Sequence, residues 1–445
     1  MLVLWTDALV YLLVVSSALF AWHLSRQRHM RRPLKKIASN SVAMASLTIL
    51  LCFVLIGLAD SIHFKDANSQ ANEAISLMDM GVAVLRTSSE KTYSAPFAAY
   101  LYSKETVTNP DNSTNWDYPR LVHGGRHLQN PDTDKTADII SKTMVAIMQS
   151  TGVMVFIYFV IRHAYLRRHP SLLDNSSAKA VWISLCALIV IAYTLLYLSN
   201  YYHVFGTDKI GEDVFYQALK SIRTGLVIGT LTTLVMLPFA IVLGIMAGYF
   251  KGWIDDMIQF IYTTLNSVPS VLLIAASILM VQVYMSNHAE NFTNLLVRAD
   301  MRLLFLCLIL GVTNWTGLCR LLRAETLKLR EMEYILAARA MGVKPATILF
   351  RHIFPNVMHI VLISVVLDFS SLVLAEAVLS YIHIGVDPTT HSWGNMINSA
   401  RLELAREPLV WWSLVAAFVF MFTLVLAANL FADSVRDAFD PKRVS

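Results

Sequence analysis

Along most of the chain, apolar residues run on without a polar face in blocks of about 20, separated by polar and often basic spacers. A helix needs about 20 apolar residues to cross the hydrocarbon core. Nine windows meet that length: 2–24, 41–63, 143–161, 181–199, 224–248, 260–284, 302–319, 355–380 and 411–432. The pattern predicts an all-α, polytopic transmembrane bundle. The spacers sort by charge. After the first window stand Arg26, Arg28, Arg31, Arg32, Lys35 and Lys36 with no acid, and after the third stand Arg162, Arg167, Arg168 and Lys179 against Asp174 alone. The positive-inside bias assigns both to the cytoplasm. Alternation then predicts an N-terminus outside and a C-terminal tail, with Lys442 and Arg443, inside.

The same alternation divides the chain into two transmembrane helices over 1–63, one long outer insertion over 64–142, two further helices over 143–202, a helical region over 203–433 and a tail over 434–445. The insertion holds a helix-like stretch, "NEAISLMDMGVAVL", an aromatic stretch, "YSAPFAAYLY", and a turn-rich region from Asn109 onward. His123 and His127 have the i,i+4 spacing of a metal pair, but Gly124-Gly125 between them breaks the helix that pairing needs. The expectation there is a solvated loop and no metal.

Composition agrees with the pattern. In 445 residues, 56% are hydrophobic and only 15% charged, with a mean hydropathy of +0.54, which excludes an ordinary soluble domain. The net charge of +5 is concentrated in the spacers, as membrane orientation requires, and no nucleic-acid-binding pattern accompanies it. Cys52, Cys186, Cys307 and Cys319 all lie in apolar runs and read as small core residues. The Asn-x-Ser/Thr matches at Asn112 and Asn291 carry no weight at that motif length. The first apolar run lacks a preceding basic residue and a small-x-small cleavage site, so it reads as an anchor rather than a secretory signal.

One spacer stands apart. Residues 320–354 carry Arg320, Arg323, Lys328, Arg330, Arg339, Lys344 and Arg351 against Glu325, Glu331 and Glu333, so charge and alternation both assign them to the cytoplasm. "EMEYILAARAM" reads as helix, with Met332, Leu336 and Ala340 at i,i+4 spacing. Gly342 stands where a helix ends with a left-handed residue, and Pro345 where another begins. "PATILFRHI" then presents Ile348, Leu349 and Phe350 beside Arg351 and His352, ahead of Pro355-Asn356. The expected result is two short helices at a bend with an exposed apolar tip. Composition alone fits a helix lying on lipid headgroups; the order and spacing of residues point instead to a partner.

In that order the spacer resembles the signature cytoplasmic loop of the inner-membrane permease subunits of binding-protein-dependent ABC importers, in the dipeptide, oligopeptide and nickel branch. Ala337-Ala338, Gly342, His352 and Pro355-Asn356 fall at matching positions. "FGTDKIGEDVF" (205–215), "GIMAGYFKGWIDD", "SVPSVLLI", "AEAVLSYIHIGVDPTTHSWGNMI" and "RDAFDP" are similar to further elements of that branch, over roughly 203–442. Residues 1–180 lie largely outside the likeness. It implies a type I ABC importer permease fold in the bacterial inner membrane, with about nine spans, three of them extra at the N-terminus. It also implies a loop over 320–354 that docks on a cytoplasmic ATPase through Ala337, Ala338, Gly342, Pro345, Ile348, Leu349, Phe350, His352 and Pro355. The implied partners are a second permease, two ATP-binding subunits, a periplasmic solute-binding protein and membrane lipid. Three positions depart from the pattern. Leu336 replaces a glutamate whose contact is then lost or taken by Glu333, Glu212 replaces an arginine, and His383 replaces a glycine, which alters a turn or brings an imidazole to the pathway.

The chain carries no G-x-x-x-x-G-K-[ST] phosphate loop and no G-x-S-x-G or H-E-x-x-H motif, so it is expected not to be an enzyme and to need no cofactor of its own, with ATP bound by partner subunits. Asp368 and Glu376 stand in the eighth window, where ionisable groups either line a translocation route or satisfy each other's helices locally. With His383 they are the candidate pathway residues. Pro238, Pro269 and Pro355 mark possible kinks, and Asp213 is placed to cap the helix that follows it. Di- or oligopeptides are the expected cargo. The alternatives are nickel or another small solute, an ATP-independent secondary transporter, for which no inverted repeat is visible, and a membrane sensor, for which the cytoplasmic segments are too short.

Overall fold

The computed structural model describes residues 4–26, 31–65, 74–108, 114–161, 163, 176–292 and 294–439. In chain order come α1 (Trp5–Arg26), α2 (Arg31–Ser39), α3 (Ser41–Asp60), β1 (His63–Lys65), β2 (Ala74–Ser76), α4 (Leu77–Gly81), α5 (Ala83–Thr87), β3 (Glu105–Thr108) and β4 (Thr114–Asp117). The long helices follow: α6 (Pro131–Ile161), α7 (Ser176–Ser199), α8 (Val214–Phe250), α9 (Trp253–Ser267), α10 (Ser270–Asn287), α11 (Leu295–Asn314) and α12 (Thr316–Arg330). Then come α13 (Glu333–Ala340), α14 (Pro345–Ile348), α15 (Phe354–Tyr381), α16 (Trp393–Glu403) and α17 (Trp412–Phe439).

Among the described residues, seven helices are long and apolar enough to cross a membrane: α3, α6, α7, α8, α10, the rod Pro345–Tyr381, and α17. The protein is a polytopic all-α bundle. The other two windows fall on α1 and on α11, which carries Arg298, Asp300 and Arg302. The window 260–284 does not form one span. It is cut by Val268, whose backbone is extended at φ −91° and ψ 132°, and by Pro269. A residue before proline is pushed out of the helical region, so the apolar run is shared between α9 and α10. Pro238, by contrast, lies inside α8, which runs unbroken for 37 residues.

The chain forms two compact units. The first comprises 36–225 and 390–427. In it α3 packs on α7 and α7 on α6. The insertion belongs to this unit and is not a solvated loop: Tyr93, Ala99, Leu101 and Leu121 are buried, as are Gly124 and Gly125. Its helix-like stretch breaks into β2, α4 and α5, because Ser76 and Asp79 form a capping box that starts α4. β1 pairs antiparallel with β2, with His63 opposite Ser76, and β3 pairs likewise with β4.

Buried charge fastens these pieces to α8. Lys220 Nζ donates to Asp60 at 2.6 Å, at the end of α3, and to Asp79 at 2.9 Å, while the Tyr216 hydroxyl donates to Asp79 at 2.9 Å. Burial alone would raise the Asp79 carboxyl, but Lys220 and the Ser76 amide hold it below the usual carboxylate value. A second group lies under the residues preceding α8. His203, buried, sits between Asp213 at 2.7 Å and Glu90 at 3.4 Å. Glu90 accepts the backbone amides of Val122 at 2.9 Å and His123 at 2.8 Å. Asp213 also accepts the Phe215 amide at 2.8 Å, so it caps α8 as expected. Burial opposes the charge on His203, yet its two carboxylate partners outweigh it and push the imidazole up to about 9. His123 and His127 have separate partners, Ser199 O at 3.0 Å and Asp138 at 2.7 Å.

The second unit comprises 4–35, 226–389 and the residues from 428 onward. One core lies around Leu303, Leu306, Leu310, Leu372 and Leu379; the other around Trp315, Leu322, Ile335, Ile348 and Val357. α1 packs on α11, where the Thr6 backbone amide and hydroxyl both donate to Asp300. Glycines set the closest approaches. A side chain at Gly244 would meet Cys319 O at 2.8 Å, and one at Gly248 would meet Arg323 O at 2.7 Å, so α8 lies directly on α12. Arg323 donates twice to Asp255, at 2.6 and 2.7 Å, holding α9 to α12.

Candidate functional site

The distinctive spacer is built on this second core. Arg330, the last residue of α12, donates to the Tyr249 carbonyl oxygen at 2.9 Å and so fixes where the loop begins. α13 buries Ile335 and Ala338, whereas Met332, Leu336 and Ala340 are exposed. The i,i+4 stripe expected from spacing is therefore the outer face. A β-branched residue and a small one, three apart, seat this short helix against Ile348, Ile353 and Val357, and they leave the longer side chains in the open.

α13 ends as Gly342 predicts. Its φ is +79°, the Gly342 amide donates to Arg339 O at 3.0 Å and the Val343 amide to Ala338 O at 3.1 Å. This is a Schellman turn, closed by Val343 packing on the core. Pro345 takes the first position of α14. The second short helix does not stop at Ile353, however. It passes through a π-helical turn over Leu349–Ile353 into α15, with the Phe354 amide donating to Leu349 O. Pro355, in the first turn of α15, has no N–H to give, and the wider turn accommodates its ring without a break. Loop and span form one rod from Pro345 to Tyr381.

The structure brings together only part of the expected apolar tip. Ile348 is buried, Leu349 half-buried, and Phe350 77% exposed. Met341, which spacing did not single out, is likewise exposed, at 78%. Ala337, Gly342, Pro345 and Pro355 are exposed, Ala338 is buried and His352 is half-buried. Asn356 Nδ2 donates to the Tyr334 hydroxyl at 3.2 Å and to His352 O at 2.6 Å, so the His-x-x-Pro-Asn element ties α13 to the start of α15. Tyr334 was missed because nothing in the sequence pairs it with residue 356. Tyr249, Phe250, Arg330, Arg339, Val343 and Pro345 line a cavity of about 300 Å³ behind the loop. Arg339 stands over the Tyr249 ring at 5.9 Å.

Of the three candidate pathway residues, Asp368 is half-buried on α15 and Glu376 is buried. The Ser380 hydroxyl, one turn on, donates to Glu376 at 2.7 Å. His383 is exposed at the end of α15 with φ +64°. Its amide donates to Ser380 O at 3.0 Å and the Ile384 amide to Leu379 O at 2.9 Å. The glycine-to-histidine departure therefore keeps the turn rather than altering it. At Gly385, by contrast, a side chain would run into Ser380, with its Cα and amide nitrogen both at 2.7 Å. Glu212, the other charge departure, accepts Gln217 Nε2 at 2.8 Å and lies 3.7 Å from His391.

A membrane bundle whose long helices are joined by a helix–glycine–helix loop with an exposed apolar tip has the build of an importer's permease component. Residues 240–445 match the family described as "Binding-protein-dependent transport system inner membrane component". The chain is 30% identical over 295 residues to the glutathione transport system permease protein GsiD of Pectobacterium atrosepticum, covering 62% of this chain and 89% of that one. It is 32% identical over 285 residues to the oligopeptide transport system permease protein OppC of Mycobacterium tuberculosis, covering 60% and 91%. It is 31% identical over 243 residues to the dipeptide transport system permease protein DppC of Alkalihalophilus pseudofirmus, covering 55% and 73%. The chain belongs to the ABC importer inner-membrane permeases, in their dipeptide and oligopeptide branch. It is a multi-pass inner-membrane transport component of a system that includes ATPase and binding-protein components.

Proposed function

We propose that this chain forms part of the translocation pathway for di- or oligopeptides, and that ATP hydrolysed on separate subunits drives it through the loop at 320–354. The relatives' names support the peptide cargo. Nickel or another small solute is the competing cargo. The observation that carries the coupling role is the pair Met341 and Phe350, each more than three-quarters exposed, raised on a backbone that is itself rigidly seated by Ile335, Ala338 and Ile348. Exposed apolar side chains on a fixed base suit a protein groove, since water leaves them uncovered at a cost. Because α14 and α15 are one rod, displacement of the tip moves a membrane-crossing helix directly.

In this reading the N-terminus and the insertion face outward, the loop and the C-terminal tail face the cytoplasm, and the assembly holds a second permease, two ATP-binding subunits and a soluble binding protein. Asp368 and Glu376, the acidic groups of α15, and His383 at its end are assigned to the pathway. The test is a cysteine cross-link from Met341 or Phe350 to an ATPase subunit in membranes. Capture that changes with ATP supports coupling. No capture from either position, with both proteins present and folded, would return the loop to a lipid-surface role.

A further inference from the structure

A pocket of about 560 Å³ opens beside α16 in the first unit, within the range of roughly 300–1,000 Å³ usual for small-molecule sites. Tyr93 comes from the insertion, Asp208 and Lys209 from the segment before α8, and Ser399, Glu403 and Arg406 from α16 and its end. Glu403 is only 4% exposed. Its Oε1 accepts the Tyr93 hydroxyl at a long 3.3 Å, and its Oε2, fully buried, has no hydrogen-bond partner among the described residues. A buried carboxylate oxygen with nothing to accept is costly and calls for a donor.

The neighbours do not supply that donor. Asp208 is engaged in its own turn, accepting the amides of Ile210 at 3.0 Å and Glu212 at 2.9 Å and Gln217 Nε2 at 2.7 Å. The Arg406 guanidinium stands over the Tyr93 ring, 4.9 Å from its centre, and both Arg406 and Lys209 are exposed. One wall thus offers an unfilled acceptor and the rim offers two cations. Burial raises the Glu403 carboxyl, and the nearby Asp208 adds to this, against the pull of Tyr93, Arg406 and Lys209.

We propose that this pocket is a binding subsite for a zwitterion, taking the free amino group of a short peptide at Glu403 and its carboxylate at Lys209 and Arg406. The inference rests on the peptide-import reading and on the outward orientation of α16. It gives the insertion a role, since Tyr93 forms part of the wall. It also makes affinity fall as pH is lowered, because a protonated Glu403 no longer attracts the ammonium.

The experiment uses the assembled importer in lipid nanodiscs without binding protein, titrated calorimetrically with dialanine, N-acetyl-dialanine and dialanine amide. The expected result is saturable binding of dialanine, with both blocked peptides weaker by at least about tenfold. Glu403→Gln should lose about as much for dialanine and nothing further for the acetylated peptide. Arg406→Gln, at an exposed position, should erase the preference for dialanine over its amide. Equal binding of acetylated and free dialanine, or full affinity in Glu403→Gln, would overturn the proposal and leave Oε2 holding only a water. Loss of binding-protein capture by Glu403→Gln with dialanine binding intact would also overturn it, making the pocket a protein contact. ATP-dependent uptake separates the two readings. Uptake of dialanine without this binding pattern sinks the subsite alone; the pattern without uptake sinks the transport reading and leaves the subsite standing.

Discussion

The turns at the two ends of the Pro345–Tyr381 rod have the same backbone and different residues. Before the rod, Gly342 at φ +79° closes α13; after it, His383 at φ +64° closes α15. Each is closed by the same two hydrogen bonds, and the residue after each, Val343 or Ile384, packs on its own core. Left-handed backbone disfavours any side chain with a Cβ by about 1–2 kcal/mol. The structure accepts that cost at 383 and avoids it at 342. Space does not explain the choice, because a Cβ at Gly342 would meet nothing within 4 Å. Two residues past His383, the reverse holds at Gly385, where no positive φ demands glycine but Ser380 fills the space. A glycine kept for its dihedral tolerates replacement at a modest cost. One kept for its volume does not.

The largest expected effect contrasts these dihedral turns with the part held by charge. His203 is charged in the folded protein up to about pH 9 and has an ordinary unfolded value of about 6.5. Its contribution is therefore complete below the unfolded value and is lost as pH rises through about 9. Glu90, held below the usual carboxylate value, contributes above its unfolded value and is lost on the acid side. Hydrogen exchange at the Val122 and His123 amides should accelerate at both extremes once intrinsic rates are divided out, while the protection of Val343 stays level. Equal loss in both places would break the contrast.

Next comes Gly385→Ala, which must displace Ser380 backbone and should cost on the order of 1–3 kcal/mol in thermal unfolding of the purified protein. Gly342→Ala should cost about 1 kcal/mol and Gly342→Asn less, since asparagine enters the left-handed region more readily. The smallest effect belongs to His383→Gly. It relieves the dihedral penalty but frees the unfolded chain by about 0.4–1 kcal/mol, so the net change should stay within about 1 kcal/mol. A large destabilisation at 383 would show that the imidazole makes a contact beyond its turn.

Much of this was legible in the chain. Gly342 and Pro345 stand where local stereochemistry favours them, and Asp213 caps α8 from the position next to it. The exposed face of α13 was not legible, because Ile335 and Leu336 are both apolar and only the seat beneath, with Ile348 and Ile353, selects which one turns inward. The part of the insertion around His123 and His127 read as a solvated loop for a related reason. Its burial depends on Glu90, His203 and Lys220 meeting partners at sequence separations of up to 160 residues.

The sequence by itself determined the membrane class, the loop and its turns, and membership in a permease family, because hydropathy, helix caps and glycine dihedrals act over a few residues. Tertiary structure decided that the loop's second helix is continuous with its span and that a polar insertion is clamped by buried ion pairs. It also decided that, among the described residues, Oε2 of Glu403 has no hydrogen-bond partner. A charge without a partner is a fact about every neighbour at once, and only the folded chain assembles those neighbours.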